Sequence, residues 1–228
     1  PADRCICEVC QLTKMRNRVS KKLSPWNDEL LGLISIDIAG PFPPSLTGNI
    51  YFLEIVENST RKVWTIPMKS KDAAIEKLNQ WKITTELQTG KKIQNVRSDN
   101  GTELKKLLDS WSKEYGITPQ YTVTYSSNQN GVAERAIQTT ENSVRAMLKD
   151  AKLPLEFWDE AASTDAYIRN RTASGPVLDG EVLTPEEAYS GKRPDINHLR
   201  VWGSKCFSYV NPKSLPAKTR HDKFMDRG

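Results

Sequence analysis

Between Leu33 and Thr124 the spacing of apolar residues changes repeatedly between two periods, and the order of those changes limits the fold more than any single motif. Leu33-Ile34-Ser35-Ile36-Asp37-Ile38 is a short β-branched run stopped by Ala-Gly-Pro-Phe-Pro-Pro, which reads as a buried strand closed by turn residues. Residues 51–56 and 62–68 predict two more strands, joined across residues 57–61 as a hairpin. From Lys71 to Leu87 the period lengthens: Ala74, Ile75, Leu78, Trp81 and Thr85 recur at helical spacing, and Gly90 follows as a stop. Residues 92–97 read as a fourth strand, residues 103–115 as a helix with Leu104, Leu107, Leu108 and Trp111 on one face, and residues 118–124 as a fifth strand. A long helix runs from Val132 to about Ala151, with Ala133, Ala136, Ile137, Thr140, Val144, Met147, Leu148 and Ala151 as its buried stripe. Glu134, Gln138, Glu141, Arg145 and Lys149 run beside that stripe, and one more helix extends from Leu153-Pro154 to about Arg171.

Strands in hairpin succession followed by strands separated by helices require a mixed sheet, antiparallel on one side and parallel on the other, with helices on its faces. The expectation is a single α/β core. In such sheets, polar groups that do chemistry gather beyond strand ends. Asp37 lies near the end of the first strand and Asp99 follows the fourth, so the two carboxylates face each other if those strands are parallel neighbours. Glu134, in NGVAERAIQT, falls in the first turn of the long helix, about a quarter-turn off the packing stripe. Three carboxylates meeting at one point would suit a hard cation. Asp99-Asn100-Gly101 is equally an ordinary turn, in which Asp bonds its own backbone and Gly takes positive φ.

The composition permits this reading and removes others. At 228 residues, 37% hydrophobic and 27% charged, the chain can bury one core with an appendage; it is neither disordered nor membrane-spanning in bulk. Its start lacks a secretory layout, which points to an intracellular protein, and without an initiator Met it reads as a piece of something longer. The net charge of +5, from 33 basic and 28 acidic residues, suits a polyanionic partner and a solvated surface alike. Both histidines, His198 and His221, lie in the tail, which leaves no Ser-His or Cys-His nucleophile in the core. Cys5, Cys7, Cys10 and Cys206 do not have the spacing of a disulfide framework. Cys7-Glu8-Val9-Cys10 has the two-residue gap of half a zinc site, or is an ordinary pair in a chain terminus. Residues 11–30 read as a polar, basic linker; SGPVLDGEVLTPEEAYSGKRPD reads as a second linker with one short helix; residues 198–210 can form a β-hairpin; Trp158 and Trp202 read as core or docking aromatics.

Asp37 after an apolar strand, Asp99 in SDNGTE, and Glu134 in NGVAER 35 positions further on resemble the D,D-35-E triad of retroviral and retrotransposon integrases. The wider chain is similar to copia-type retrotransposon integrases. CEVCQLTKMRNR resembles the second half of their zinc motif and its basic continuation, and LPLEFWDEAASTDAYIRNR and HLRVWGSKCFSYV resemble segments that follow their core. The resemblance implies a ribonuclease H-like, mixed five-stranded sheet flanked by helices. It divides the chain into a remnant of an N-terminal zinc-binding domain with linker (1–25), a catalytic core (26–173), a linker (174–196) and the start of a small C-terminal β module (197–228).

The resemblance further implies a metal-dependent polynucleotidyl transferase with endonuclease activity, which joins element DNA 3′ ends to target DNA. Asp37, Asp99 and Glu134 would be catalytic and hold two Mg²⁺ or Mn²⁺ ions roughly 3.5–4 Å apart, Asp37 bridging, Asp99 on one ion and Glu134 on the other. Cys7 and Cys10 would supply half of a Zn²⁺ site whose two histidines are not in this sequence. The partner would be double-stranded DNA, with phosphate contacts from Arg97, Lys105, Lys106, Arg135, Arg145 and Lys149 and contacts at the cleaved end from Tyr125, Asn128, Gln129 and Asn130. A homo-oligomer, the rest of a polyprotein, no membrane, and action in the nucleus after a cytoplasmic virus-like particle complete the expectation. Two other readings stay open: a metal nuclease of the same fold that only hydrolyses, and a decayed or domesticated copy that binds DNA.

Overall fold

The computed structural model describes residues 29–99, 101–121, 131–172, 175–178 and 180–206. Cys5, Cys7, Cys10, Tyr125, Asn128, Gln129 and Asn130 lie outside the described residues, as do the zinc-domain remnant and most of the expected C-terminal module. Strands β1 (Leu33–Ala39), β2 (Tyr51–Glu57) and β3 (Val63–Met68) come in succession. Helix α1 (Ala73–Thr89), β4 (Asn95–Ser98), α2 (Thr102–Tyr115), β5 (Thr118–Tyr121), α3 (Gly131–Ala151) and α4 (Trp158–Thr172) then alternate as the periodicity predicts. The sheet order is β3-β2-β1-β4-β5, with β1–β2 and β2–β3 antiparallel and β1–β4 and β4–β5 parallel.

Alternation along the strands sorts the side chains onto two cores. Ile34, Ile36, Leu53 and Ile55 pack with Ala74, Leu78 and Trp81 of α1 and Leu104, Leu107, Leu108 and Trp111 of α2 on one face. Ala39 and Phe52 pack with Val144 and Leu148 of α3 and with Trp158, Ala161 and Ala162 of α4 on the other. Asp37 therefore emerges toward α3, because its neighbour Ile36 points the other way. Trp158, tilted against Phe42 and Phe52 with its Nε1 donating to the Pro43 carbonyl, is the core aromatic expected of it. Trp202 packs against the same cluster.

The structure departs locally from the apolar pattern. Ile75, expected in the buried stripe of α1, is exposed, whereas Thr85 is buried as the spacing predicts. The fourth strand begins three residues later than the apolar pattern suggests, since the Ile93 N–H goes to the Glu86 carboxylate and the Gln94 N–H to the Leu31 carbonyl instead of to a ladder. Residues 198–206, expected to begin a hairpin, make turns closed by Leu199 N–H to Ile196 O and Ser204 N–H to Val201 O. A Cβ at Gly203 would stand 2.3 Å from the Ala151 Cβ, so this turn is pressed against the end of α3.

The segment read as a linker docks on the sheet. After a two-residue β6 (Val177–Leu178) and β7 (Glu181–Val182), helix α5 (Pro185–Ser190) starts at Thr184, whose hydroxyl accepts the Glu187 N–H. Tyr189 of α5 meets Trp64 edge-on, Trp64 meets Trp81, and Lys62 lies 3.8 Å from the Tyr189 ring centre while pairing with Glu186 at 2.9 Å. The free edge of the sheet is blunted too. The Asn170 amide on α4 accepts from the Val63 N–H and donates to the Val63 carbonyl, occupying groups that an edge strand leaves unpaired.

Candidate active site

Two acids are brought together by strand pairing alone. β1 and β4 run parallel with Ser35 opposite Arg97, and continuing that register by two residues sets Asp37 opposite Asp99. Asp37 sits inside β1, two residues before its end, and Asp99 follows β4 directly. Glu134 comes from the first turn of α3, which packs against β1 and β2. Three distant stretches of sequence thus deliver one carboxylate each to the same end of the sheet.

The charges of the other two acids reach Asp37. Burial pushes the Asp37 carboxyl up to about 6, the Ile38 N–H that it accepts at 2.8 Å pulls it back, and the charges of Asp99 and Glu134 both push it up again. Asp37 and Glu134 line an open cleft of about 530 Å³ with Phe42, Ile137, Gln138 and Glu141. Asp99 is exposed and does not line that cleft; its Oδ1 accepts the Gly101 N–H at 3.0 Å. The turn and the acid are therefore one feature. Gly101 has φ −55°, an ordinary value, so the positive φ expected there is absent and glycine serves instead to give room, since a Cβ would lie 3.0 Å from that oxygen. Among the described residues no three His, Cys, Asp or Glu side chains close on one point as a metal-holding group.

The basic residues divide. Arg145 and Lys149 are exposed and continue along α3 the ridge that carries Glu134, Gln138 and Glu141; Lys105 and Lys106 are exposed on α2, which follows Asp99. Arg97 is held by the Gln120 side-chain oxygen at 2.8 and 3.2 Å, and burial lowers its pKa. Arg135 turns to the opposite flank of α3, where it lines a separate cleft of about 320 Å³ with Arg61, Thr139 and Arg169.

Sequence reasoning missed Glu54 and Arg169. Glu54 has no exposed surface and sits opposite Asp37 in the β1–β2 ladder. Burial pushes it up to about 7, while Arg169, Thr65 and Thr140 pull it down. A lone Glu in the apolar run Tyr-Phe-Leu-Glu-Ile-Val was a signal of a buried carboxylate. Its partner, 115 positions away, left no local trace.

The chain is similar to known proteins in sequence and in fold. Residues 28–127 match the family described as Integrase core domain, a span that includes Asp37 and Asp99 and ends before Glu134. The chain is 35% identical over 215 residues to the retrovirus-related Pol polyprotein from transposon TNT 1-94 of Nicotiana tabacum, covering 93% of this chain and 16% of that protein. It is 28% identical over 178 residues to the Pol polyprotein from transposon RE1 of Arabidopsis thaliana, covering 77% and 12%. Against the transposon Ty1-NL2 Gag-Pol polyprotein of Saccharomyces cerevisiae it is 27% identical over 235 residues, covering 94% and 13%. The chain thus spans under a fifth of these relatives. A simian T-cell lymphotropic virus intasome, solved by cryoEM in complex with PP2A regulatory subunit B56 gamma, shares the fold with a TM-score of 0.58 at 14% identity, over 90% of this chain and 69% of that one.

Proposed function

We propose that this chain, which carries an integrase core of the retrotransposon Pol kind, acts as a polynucleotidyl transferase that joins the 3′ ends of element DNA to target DNA. The observation that carries the reading is the electrostatic meeting of Asp37, Asp99 and Glu134, three acids from separate segments at one sheet end. The donor set suits a divalent metal of the magnesium class: it is all carboxylate oxygen, with no thiol or imidazole, and ionising Asp37 is opposed by two like charges that a cation would offset. Asp37, Asp99 and Glu134 would hold it. A bound divalent ion supplies polarisation of the scissile phosphate and activation of the attacking oxygen.

The chain's own residues do the rest by placement. The β1–β4 register fixes Asp37 beside Asp99, and the Ile38 N–H orients one Asp37 oxygen. Phe42 and Ile137 add apolar surface to the lining of the cleft. Lys105 and Lys106 on the helix that follows Asp99, and Arg145 and Lys149 further along α3, would meet phosphates outside the acidic centre. Double-stranded DNA, a polyprotein origin, self-association, zinc at Cys7 and Cys10 in a complete N-terminal domain, and work in the nucleus after a cytoplasmic particle belong to the same proposal. Among the described residues no helix is long and apolar enough to cross a membrane.

The test is strand transfer with short duplex ends, a plasmid target and Mg²⁺ or Mn²⁺. Wild type should join ends, whereas Asp99→Asn and Glu134→Gln should join none while keeping the wild-type circular dichroism spectrum. Full activity in Asp99→Asn would overturn the reading. Cleavage by water without joining to a supplied 3′-hydroxyl would move the chain to the hydrolysing class.

A further inference from the structure

The acid opposite Asp37 is not idle. Cross-strand partners leave the same face of a sheet with Cβ atoms roughly 4.5–5.5 Å apart, so Glu54 rises beside Asp37. Its oxygens are turned elsewhere. Oε2 accepts from the Thr65 hydroxyl at 2.6 Å, and Oε1 accepts from the Thr140 hydroxyl and from Arg169 Nη2, both at 3.1 Å. Arg169 also donates to the Thr140 hydroxyl at 2.8 Å, approaches the Ala136 carbonyl with Nη1 at 3.4 Å and pairs with Asp165 at 3.1 Å. Ala136 and Thr140 lie two and six residues beyond Glu134 on α3. One guanidinium from α4 therefore ties the strand beside Asp37 to the helix turns that follow Glu134.

Stability alone is a poor reason for this arrangement. A buried ion pair seldom outperforms apolar side chains of similar volume, because desolvating both charges offsets their attraction. What such a pair does provide is a fixed distance and direction. We propose that Arg169 and Glu54 are positioning residues whose buried pair sets the approach of the Glu134 carboxylate to Asp37, and that Arg169 withholds Glu54 from the acidic cleft as a competing ligand. The inference rests on the reading of Asp37 and Glu134 as ion-holding groups. It assigns neither residue a contact with substrate.

The experiment follows Mn²⁺ uptake through the fading of its free electron paramagnetic resonance signal, with a urea denaturation curve recorded for each protein. The double variant Glu54→Met, Arg169→Met replaces the pair with apolar chains and should fold, with a midpoint lowered by the loss of Asp165's partner. Its Mn²⁺ half-saturation should rise on the order of 10–100-fold, the usual effect of removing groups that orient metal ligands. Thr140→Val, which cuts the hydroxyl link to α3 and leaves the pair and the Ala136 contact in place, should raise it by a smaller factor and keeps the inference testable if the double variant does not fold. A folded double variant, or Thr140→Val, with unchanged half-saturation overturns the positioning role. Wild type that takes up no Mn²⁺ overturns the ion-holding reading itself, and this inference with it.

Discussion

Replacing Asp37 with Asn should make the metal-free protein more stable at neutral pH, by an amount that the site itself sets. The carboxyl is raised from an ordinary 3.8 to about 6, first by burial and then by Asp99 and Glu134. A raised acid favours the protonated folded state, so its contribution is fully present below pH 3.8 and is lost as pH rises through about 6. At about 1.4 kcal/mol per pH unit, that gap corresponds to ~3 kcal/mol, and partial exposure to solvent screens it to ~2 kcal/mol. For a domain of this size the melting temperature of Asp37→Asn at pH 8 should exceed that of wild type by roughly 4–8 °C. Near pH 3.5 the two should coincide. Glu54, raised to about 7, adds a slope of the same sign to both proteins and cancels in the difference. Saturating Mg²⁺ or Mn²⁺ should reverse the order, because an ion at about a hundred times its dissociation constant stabilises the protein that binds it by ~2.7 kcal/mol. Differential scanning fluorimetry across pH, with EDTA and with metal, reads all of this. A difference that does not vary with pH, or a variant less stable than wild type at pH 8 in EDTA, would refute the claim that burial and crowded charge raise Asp37.

Other outcomes follow from packing. Asn170→Ala should cost about 2–4 kcal/mol in urea denaturation and speed amide exchange at Val63, because both bonds that its side chain makes to the β3 backbone vanish. Tyr189→Ala should lower stability by about 2 kcal/mol and shift tryptophan fluorescence to the red, as Trp64 loses its cover. Gly40→Ala should cost on the order of 3 kcal/mol: φ is +120° there and the new Cβ would sit 2.6 Å from the Ile50 carbonyl oxygen, which the denaturant midpoint will report.

Much of the sheet was legible because each strand has one apolar face and an abrupt stop. The stripe Leu104, Leu107, Leu108 and Trp111 became wholly interior, as helical spacing requires. Asp37 and Asp99 could be paired in advance because parallel neighbours share a direction and both acids sit at strand ends. Long-range polar chemistry was not legible. The hydrogen bonds that shorten β4 depend on Glu86 arriving from α1, and the burial of Glu54 depends on an arginine from α4. Helix α5 looked like linker because Pro185-Glu186-Glu187 is polar, and its anchoring rests on Tyr189 finding Trp64 far back in the chain. Period and turn chemistry report a segment's own geometry. They say little about which charged side chains will be matched across a core.

Consider finally what the parallel pairing of β1 with β4 does to the three acids as a set. Two of them lie opposite each other on neighbouring hydrogen-bonded strands, so their separation can hardly change without unzipping the middle of the sheet. The third is mounted on a helix that is bolted to that ladder through side chains. Tuning of ion size or of catalytic readiness would then fall to sliding or rolling that helix, and the contacts that hold it, at Ala136 and Thr140, lie within two turns of Glu134.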